Sequence, residues 1–416
     1  MRILLLIIQF PPDVNSTGLL MAQLCAGLQA RGHQVSVLTS FPHYEKFRVW
    51  DEYRGKLAER GSYNGMDVLR LYVYASGTKQ RMTHRLLSYL SFCGMATLAG
   101  IFSRKSYDII LCTNGSFFSG IAAFLIGRAK GIPFVYNVQD LYPQTPVMAG
   151  QLRSRNAIAV LEKIERFMYR HAARVSVITP SFRDNIVAKG IAPDKISVIP
   201  NFVDTAFIKP LPKDNPFSQR YGLSNKFVIT HAGNIGYVYD LETLLEAAVQ
   251  VRHVPNIEFL IVGDGVMRPR LMEKAASLGL SNVRFLPFQP YESLPWLRAT
   301  CDVQVALYRQ GSARYSMPSK VYEIMASGQP LLVSADVTSD VWRLVEDAGC
   351  GICVEPNDAD KLAASILRLY ADPALRVAMG QRGREQAEQH YSREAVVGLY
   401  QDLLHRVAAG SEADRA

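Results

Sequence analysis

Short apolar runs alternate with longer amphipathic stretches from one end of this chain to the other. Runs rich in Ile, Leu and Val predict strands at 2–8, 34–39, 67–73, 108–112, 133–137, 174–178 and 196–199. Apolar positions recurring at helical spacing predict helices at 18–31, 82–103, 117–130, 154–171 and 181–189. The pattern then restarts. Strands at 226–231, 257–262, 283–286, 302–306, 330–333 and 351–353 alternate with helices at 240–252, 266–278, 291–299, 318–327 and 338–346. Two long helical patterns, 358–371 and 374–408, close the chain. Continuous apolar strands, each followed by a helix, imply parallel sheets covered on both faces. The fold class is therefore α/β, with two doubly wound, Rossmann-like domains facing a cleft at the C-terminal ends of their strands.

The boundary falls in PNFVDTAFIKPLPKDNPF (200–217), which is rich in Pro, Asn and Asp and has no periodicity. The expected division is a first domain at 1–199, a linker at 200–217, a second domain at 218–385, and a C-terminal helix at 386–408 that crosses back to the first domain. A length of 416 residues with 49% hydrophobic content supports two cores and excludes a disordered chain. The start, MRILLLIIQFPP, has a short apolar run ended by two prolines and no small-residue cleavage site, so it reads as a first strand and not as a signal peptide. The six cysteines form no framework; Cys350 and Cys353 make one C-x-x-C with no second pair, and read as packing residues in a reducing compartment.

Charge changes the picture more. The net +9 is uneven: residues 1–200 carry 24 Lys and Arg against 12 Asp and Glu, a balance of +12, and the remainder balances at −3. A basic first half implies an anionic partner. Nucleic acid is set aside because no helix-turn-helix, zinc-finger or RNP-type signature is present. The stretch 81–105 has no charge between Arg85 and Arg104, a gap of 18 residues diluted by Ser88, Ser91, Gly94, Thr97 and Gly100. It fits a buried core helix, a spanning helix, or an interfacial helix held on an anionic membrane by Arg81, Arg85, Arg104 and Lys105. The interfacial reading accounts best for the basic ends.

The candidate chemistry lies in the second half. HAGNIGYVYDLETLLEA (231–247) reads as a buried strand, a turn on Gly233 and Gly236, and a helix from Asp240. Such a turn brings backbone close to a ligand, and the amides of a helix start attract phosphate. IVGDGVMRPRL (261–271) and SMPSKVYEIMASGQPLLVS (316–334) add Gly263 and a third helix start, with Pro318 in its first turn and Ser316 or Ser319 as cap. Together they predict a nucleotide-diphosphate site, with Lys320 and Arg314 as its cations. In the first half, Ser16, Thr17 and Gly18 start a helix after the first strand, Asp140 ends a buried strand, and His43 ends the second strand as a weaker candidate.

QFPPDVNSTGLLMAQLCAGLQARGHQVSVLTSFPHY, VYNVQDLYPQT, ISVIPNFVD, HAGNIG, LIVGDG, PSKVYEIMASGQP and MGQRGREQAEQHYS are spread over nearly the whole chain. This series resembles retaining glycosyltransferase family 4, of the GT-B fold, particularly its bacterial polysaccharide members (amino-sugar and colanic-acid-type transferases). The resemblance implies an acceptor-side first domain and a second domain that binds a UDP- or GDP-linked sugar through Gly233, Asn234, Gly236, Gly263, Arg314, Ser319, Lys320 and Glu323. Glu323 matches the second glutamate of the family's E-x7-E motif, which accepts from ribose hydroxyls; a carboxylate offers only acceptors. The first glutamate falls at Tyr315, and the usual Arg and Lys of the phosphate loop fall at Asn234 and Tyr239. Those departures shift charge neutralisation to Lys320, Arg314 and helix amides. Ser16, Thr17 and Gly18 would face diphosphate and acceptor, and Asp140 is the catalytic candidate, orienting the acceptor hydroxyl or stabilising charge at the anomeric carbon.

The implied activity is sugar transfer, with retention, to a lipid-linked saccharide in surface polysaccharide biosynthesis. The protein would lie on the inner face of the cytoplasmic membrane and need no cofactor. No metal is implied either. The alternatives are a nucleotide-sugar epimerase or phosphorylase on the same fold, or a silent, membrane-docked scaffold that binds a nucleotide sugar.

Overall fold

The computed structural model describes the chain apart from residues 14, 45, 78–81, 145–146, 148–151, 314–316 and 414–416. It divides into two units, Met1–Pro200 with Val396–Ala416, and Asn201–Ala395.

The first unit is built on an eight-stranded sheet. Its strands are β1 (Arg2–Leu6), β2 (Gln34–Ser40), β3 (Ala58–Tyr63), β4 (Met66–Leu71), β5 (Ile109–Thr113), β6 (Phe134–Val138), β7 (Arg174–Val177) and β8 (Ile196–Val198). The order is β3-β4-β2-β1-β5-β6-β7-β8, parallel except for the β3–β4 hairpin. The helices are α1 (Ser16–Ala30), α2 (Met82–Phe102), α3 (Ser119–Lys130), α4 (Arg155–His171) and α5 (Pro180–Ala188). Strands β5 and β6 are buried at every position. That burial explains why they read as continuous apolar runs and not as alternation. The strand order reverses between β1 and β5, which opens a crevice at their C-terminal ends.

The second unit contains α6 (Pro216–Tyr221), β9 (Phe227–Ala232), α7 (Leu241–Gln250), β10 (Ile257–Val262), α8 (Arg268–Ser277) and β11 (Val283–Leu286). Next come α9 (Leu294–Thr300), β12 (Val303–Leu307), α10 (Lys320–Ala326), β13 (Leu331–Ser334), α11 (Asp340–Ala348) and β14 (Gly351–Val354). Helices α12 (Ala359–Ala371), α13 (Pro373–His390) and α14 (Arg393–Ala413) follow. Its six strands are all parallel, in the order β11-β10-β9-β12-β13-β14. Its reversal lies between β9 and β12, so the turn after β9 occupies the position where such sheets bind ligands. One face of this sheet packs on α7, α8 and α12 through Leu244, Leu245, Leu271, Leu362 and Ile366.

Two features differ from the expectations. β3 is absent from the strands predicted, because AERGSY is an exposed edge with no apolar signal. Its Asn64-Gly65 turn, with φ of 47° and 78°, is the hairpin signature that marks it. The final helical pattern is broken at Tyr391–Ser392. There Val203 N–H donates to the Tyr391 carbonyl, and the Ser392 hydroxyl accepts from Ala395 N–H. From Val396 onward α14 belongs to the first unit, where Val397 packs on Gly27 and the Tyr400 hydroxyl accepts from Asn137 Nδ2 at 2.7 Å.

Candidate functional site

In the second unit, the turns after β9 and β10 are fastened together. Gly233 N–H donates to Val262 O (2.9 Å), Ile235 N–H to Asp264 O (2.8 Å), and Gly263 N–H to Leu286 O (3.0 Å). The approach leaves no room for side chains: a Cβ on Gly263, whose φ is +135°, would lie 1.9 Å from the Gly233 carbonyl oxygen. Asn234 is exposed beside Gly236, and Tyr237 stands 68% exposed just beyond. The far end of the turn is fixed to β12 by Asp240 N–H donating to Leu307 O. Asp240 then caps α7, accepting from the Thr243 hydroxyl at 2.6 Å.

Lys320 opens α10, and its ammonium turns back toward this turn. Nζ lies 4.1 Å from the centroid of the Tyr239 ring and 3.4 Å from His231 Nδ1. His231 Nε2 is 3.3 Å from the Asn234 carbonyl, so the pattern sets one tautomer: Nε2–H donates to the turn and Nδ1 accepts from Lys320. Among the described residues no carboxylate pairs with Lys320. Burial, joined by the Arg298 charge and opposed by Glu323, brings the Lys320 amine down to about 7. Burial and the charges of Lys320 and Arg298 also hold His231 well below the usual histidine range, and therefore neutral.

Glu323 is one turn along α10 from Lys320. Its Oε2 accepts from Arg298 Nη2 at 2.6 Å, and Arg298 is 3% exposed and also bonded to Gln304. The guanidinium therefore fixes the carboxylate, while Oε1 has no partner among the described residues. Ser319 does not act as a side-chain cap. It already has helical φ and ψ, and the first turn is closed by the carbonyls of Pro318 and Ser319. Arg314, Tyr315 and Ser316 lie outside the described residues.

In the first unit the cap of α1 is Asn15, whose side chain accepts from Gly18 N–H at 3.1 Å. Ser16 and Thr17 follow it, with Ser16 exposed. Gly18 is required by contact, since a Cβ there would sit 2.7 Å from Gln9 O. Asp13 is 1% exposed and accepts from the backbone N–H of His43 and Tyr44. His43 is tied by Nδ1 to Phe41 O (2.9 Å), and burial lowers its pKa. Asp140 follows β6. Its carbonyl accepts from Asn114 Nδ2, and Asn114 Oδ1 accepts from Gln139 N–H at 2.8 Å. The Asp140 side chain meets water, yet crowding by surrounding protein raises its pKa, and the Arg85 charge opposes the rise.

Arg85, expected at a bilayer, bonds the Tyr89 hydroxyl at 3.4 Å and places its charge near Asp140 and Tyr142. Lys105 pairs with Asp67 at 2.7 Å, Arg104 is exposed, and Arg81 lies outside the described residues. Helix α2 buries Ser88, Phe92, Cys93 and Ala96, and exposes Leu86, Leu87, Leu90, Leu98 and Phe102 along its other face.

Residues 18–201 match the model of the glycosyl transferase 4-like domain, and residues 214–386 match that of glycosyl transferases group 1. The chain belongs to glycosyltransferase family 4. An Escherichia coli protein described as a colanic acid biosynthesis glycosyl transferase is 27% identical over 406 residues, covering 95% of this chain and 98% of that one. The alpha-D-kanosaminyltransferase of Streptomyces kanamyceticus is 27% identical over 300 residues, 68% of this chain and 75% of its own. Among solved structures, Anabaena HepE in complex with UDP-glucose superposes with a TM-score of 0.72 at 18% identity, covering 98% of this chain and 100% of that one. The fold is GT-B, and the activity is nucleotide-sugar-dependent glycosyl transfer with retention.

This glycosyltransferase thus carries the Lys320 amine against Tyr239, the position where the resemblance leads one to expect the family's loop lysine. Sequence reading singled out neither His231 nor Arg298, which hold Lys320 and Glu323. Their signals were a His inside a buried strand and a lone cation in the apolar stretch LPWLRATCDVQVAL. Asn15, Asp13 and Asn114 were missed as ordinary loop polar residues.

Proposed function

We propose that this glycosyltransferase moves a sugar from a UDP- or GDP-linked donor to a hydroxyl of a lipid-linked saccharide during assembly of a surface polysaccharide. The observation that carries the donor half is the Lys320–Tyr239–His231 cluster one helical turn from Glu323, at the strand reversal of the second unit. In this reading Glu323 Oε1 accepts from ribose hydroxyls. Lys320 and the amides around Gly233, Asn234, Gly236 and Gly263 meet the diphosphate, with Ser319 beside it, and Arg314 stays a candidate cation from the sequence. The acceptor oxygen bonds to the anomeric carbon on the face from which the diphosphate leaves, and the leaving oxygen takes the acceptor proton. Asp140 and Arg85, with Ser16, Thr17 and Gly18, serve the first unit's side of that exchange, Asp140 orienting the acceptor hydroxyl.

UDP-sugars are the first donors to test, because the Anabaena structure holds UDP-glucose. Relatives described for colanic acid and for lipopolysaccharide core synthesis support the acceptor class. The exposed leucine row of α2, ending at Phe102 at 77% exposure, supports peripheral docking at the inner face of the cytoplasmic membrane. A thermal-shift panel of UDP- and GDP-sugars tests the reading, since a ligand that binds only the native state raises the melting temperature. One nucleotide class is expected to raise it, and that donor to label a lipid extract in the presence of enzyme. A panel with no shift, or transfer only to water-soluble acceptors, contradicts the donor or the acceptor assignment respectively.

A further inference from the structure

A second basic site lies at the opposite end of the first unit's sheet. A cavity of about 620 Å³ opens where β6 and β7 begin, far along the strands from Asp140. Its wall includes Arg128 near the end of α3, His171 at the end of α4, Arg174 at the start of β7 and Arg406 on α14. Phe124, Ile132 and Val407 supply apolar surface. No Asp or Glu lines it, and none of the three arginines has a carboxylate partner among the described residues. Arg174 donates to the backbone carbonyl of Asp194, and His171 Nδ1 lies 2.8 Å from Phe167 O with its ring 4.8 Å from Phe124.

Complementing helix dipoles would account for Arg128 and His171, which close α3 and α4. It does not account for Arg174, which begins a strand, or for Arg406, two turns before the end of α14. Three guanidiniums from three elements converge on one concavity that supplies no negative charge. A guanidinium is a planar fork suited to phosphate oxygens, and the bond to the Asp194 carbonyl uses only one of Arg174's N–H groups. The volume exceeds a bare phosphate, and the apolar surface suits the rest of a larger molecule.

Position selects among phosphates. Lys130 Nζ, on the last turn of α3, donates to Ser103 O at 2.6 Å, joining this end of α3 to the residue after Phe102. Leu125, beside the cavity residue Phe124, is exposed, as is the adjoining row on α2. We propose that this cavity binds the headgroup phosphate of an anionic phospholipid while the apolar face of α2 lies in the bilayer surface. The inference rests on the membrane-facing reading of α2, and the two fail differently.

The test uses the full chain with vesicles of phosphatidylcholine, alone or mixed with phosphatidylglycerol, and soluble glycerol 3-phosphate as competitor. R128Q/R406Q alters two exposed side chains and is expected to lower affinity for the anionic vesicles by about tenfold or more. Its binding to neutral vesicles and to the sugar nucleotide stays unchanged. Glycerol 3-phosphate is expected to compete with anionic vesicles for the wild type but not for the variant. L90N/L98N is expected to lose binding to both vesicle types, and retained binding there overturns the docking of α2. Unchanged anionic-vesicle affinity in R128Q/R406Q overturns the headgroup site. Stabilisation by glycerol 3-phosphate with no vesicle preference would assign the cavity to a soluble phosphate ester instead.

Discussion

Lys320 is a buried amine paired with no carboxylate among the described residues, and in the proposed reading its protonation sets what the donor side of the enzyme can do. Its folded pKa of about 7 lies below the 10.5 of an ordinary lysine. Between those values the unfolded chain holds a proton that the folded chain lacks, so its contribution to stability rises with pH across that window. Below about 7 both states hold the proton, and the cost of ionising the buried amine is fully present. The groups facing Nζ are His231, Tyr239, Arg298 and Glu323; His231 is already neutral and adds no opposing slope there. Lys320→Met is expected to flatten that rise in chemical denaturation from pH 7 to 10, and an unchanged slope places the titration elsewhere. The double substitution Tyr239→Lys with Lys320→Met returns a cation to the loop and is expected to recover part of the donor affinity that the single change loses.

Glu323 and Arg298 separate binding from support. Glu323→Gln keeps shape and one acceptor but takes the counter-charge from buried Arg298, so it is expected to weaken the donor by roughly 1.5–3 kcal/mol and to lower the melting temperature less than loss of Arg298 does. Arg298→Met strands the half-buried carboxylate and the Gln304 amide, and is expected to cost about 3 kcal/mol of stability as well as donor affinity. Calorimetry and denaturation on both variants check this, and equal melting losses would make Glu323 a structural partner only.

Among the elements, the paired glycine turns show how little freedom the donor end has. Gly263→Ala places a Cβ against the Gly233 carbonyl at a positive φ, so both strand ends must separate. A loss on the order of 3 kcal/mol or more is expected by denaturation, together with lost donor binding. Wild-type stability would mean the turns are looser than described. These turns were legible in the sequence because backbone demands leave glycine as a trace, and so were the buried strands, whose apolar runs have no polar face. What escaped was set by neighbours distant in sequence. β3 carries no apolar pattern because none of its residues is buried. Asn15 and Ser319 differ only in whether the backbone before the helix is extended, which residue type does not fix. Arg298 reads as a surface arginine until α10 is laid beside α9. Helix α2 gave its length and flanking charges, but not that Arg85 turns toward Asp140 or that Lys105 is held by Asp67.

At the scale of the whole molecule, the basic balance of the first 200 residues is gathered partly at one end of one unit, around Arg128 and Arg174, where Arg406 joins them from α14. Net charge predicted an anionic partner without indicating which surface meets it, because charge counts carry no direction. The family was readable from motifs strung over nearly the full length, and so was the shift of charge from the loop to Lys320; the contact of that amine with Tyr239 came to light only with the two segments together. We propose that Lys320 replaces the loop lysine. That replacement is the central claim, and titration calorimetry of the donor at pH 8 tests it most directly, in two buffers of different ionisation enthalpy. The wild type is expected to take up close to one proton on binding as the diphosphate restores the Lys320 charge. Lys320→Met is expected to take up none and to bind about tenfold or more weakly. Equal affinity for the two proteins, with no proton taken up by either, would contradict it.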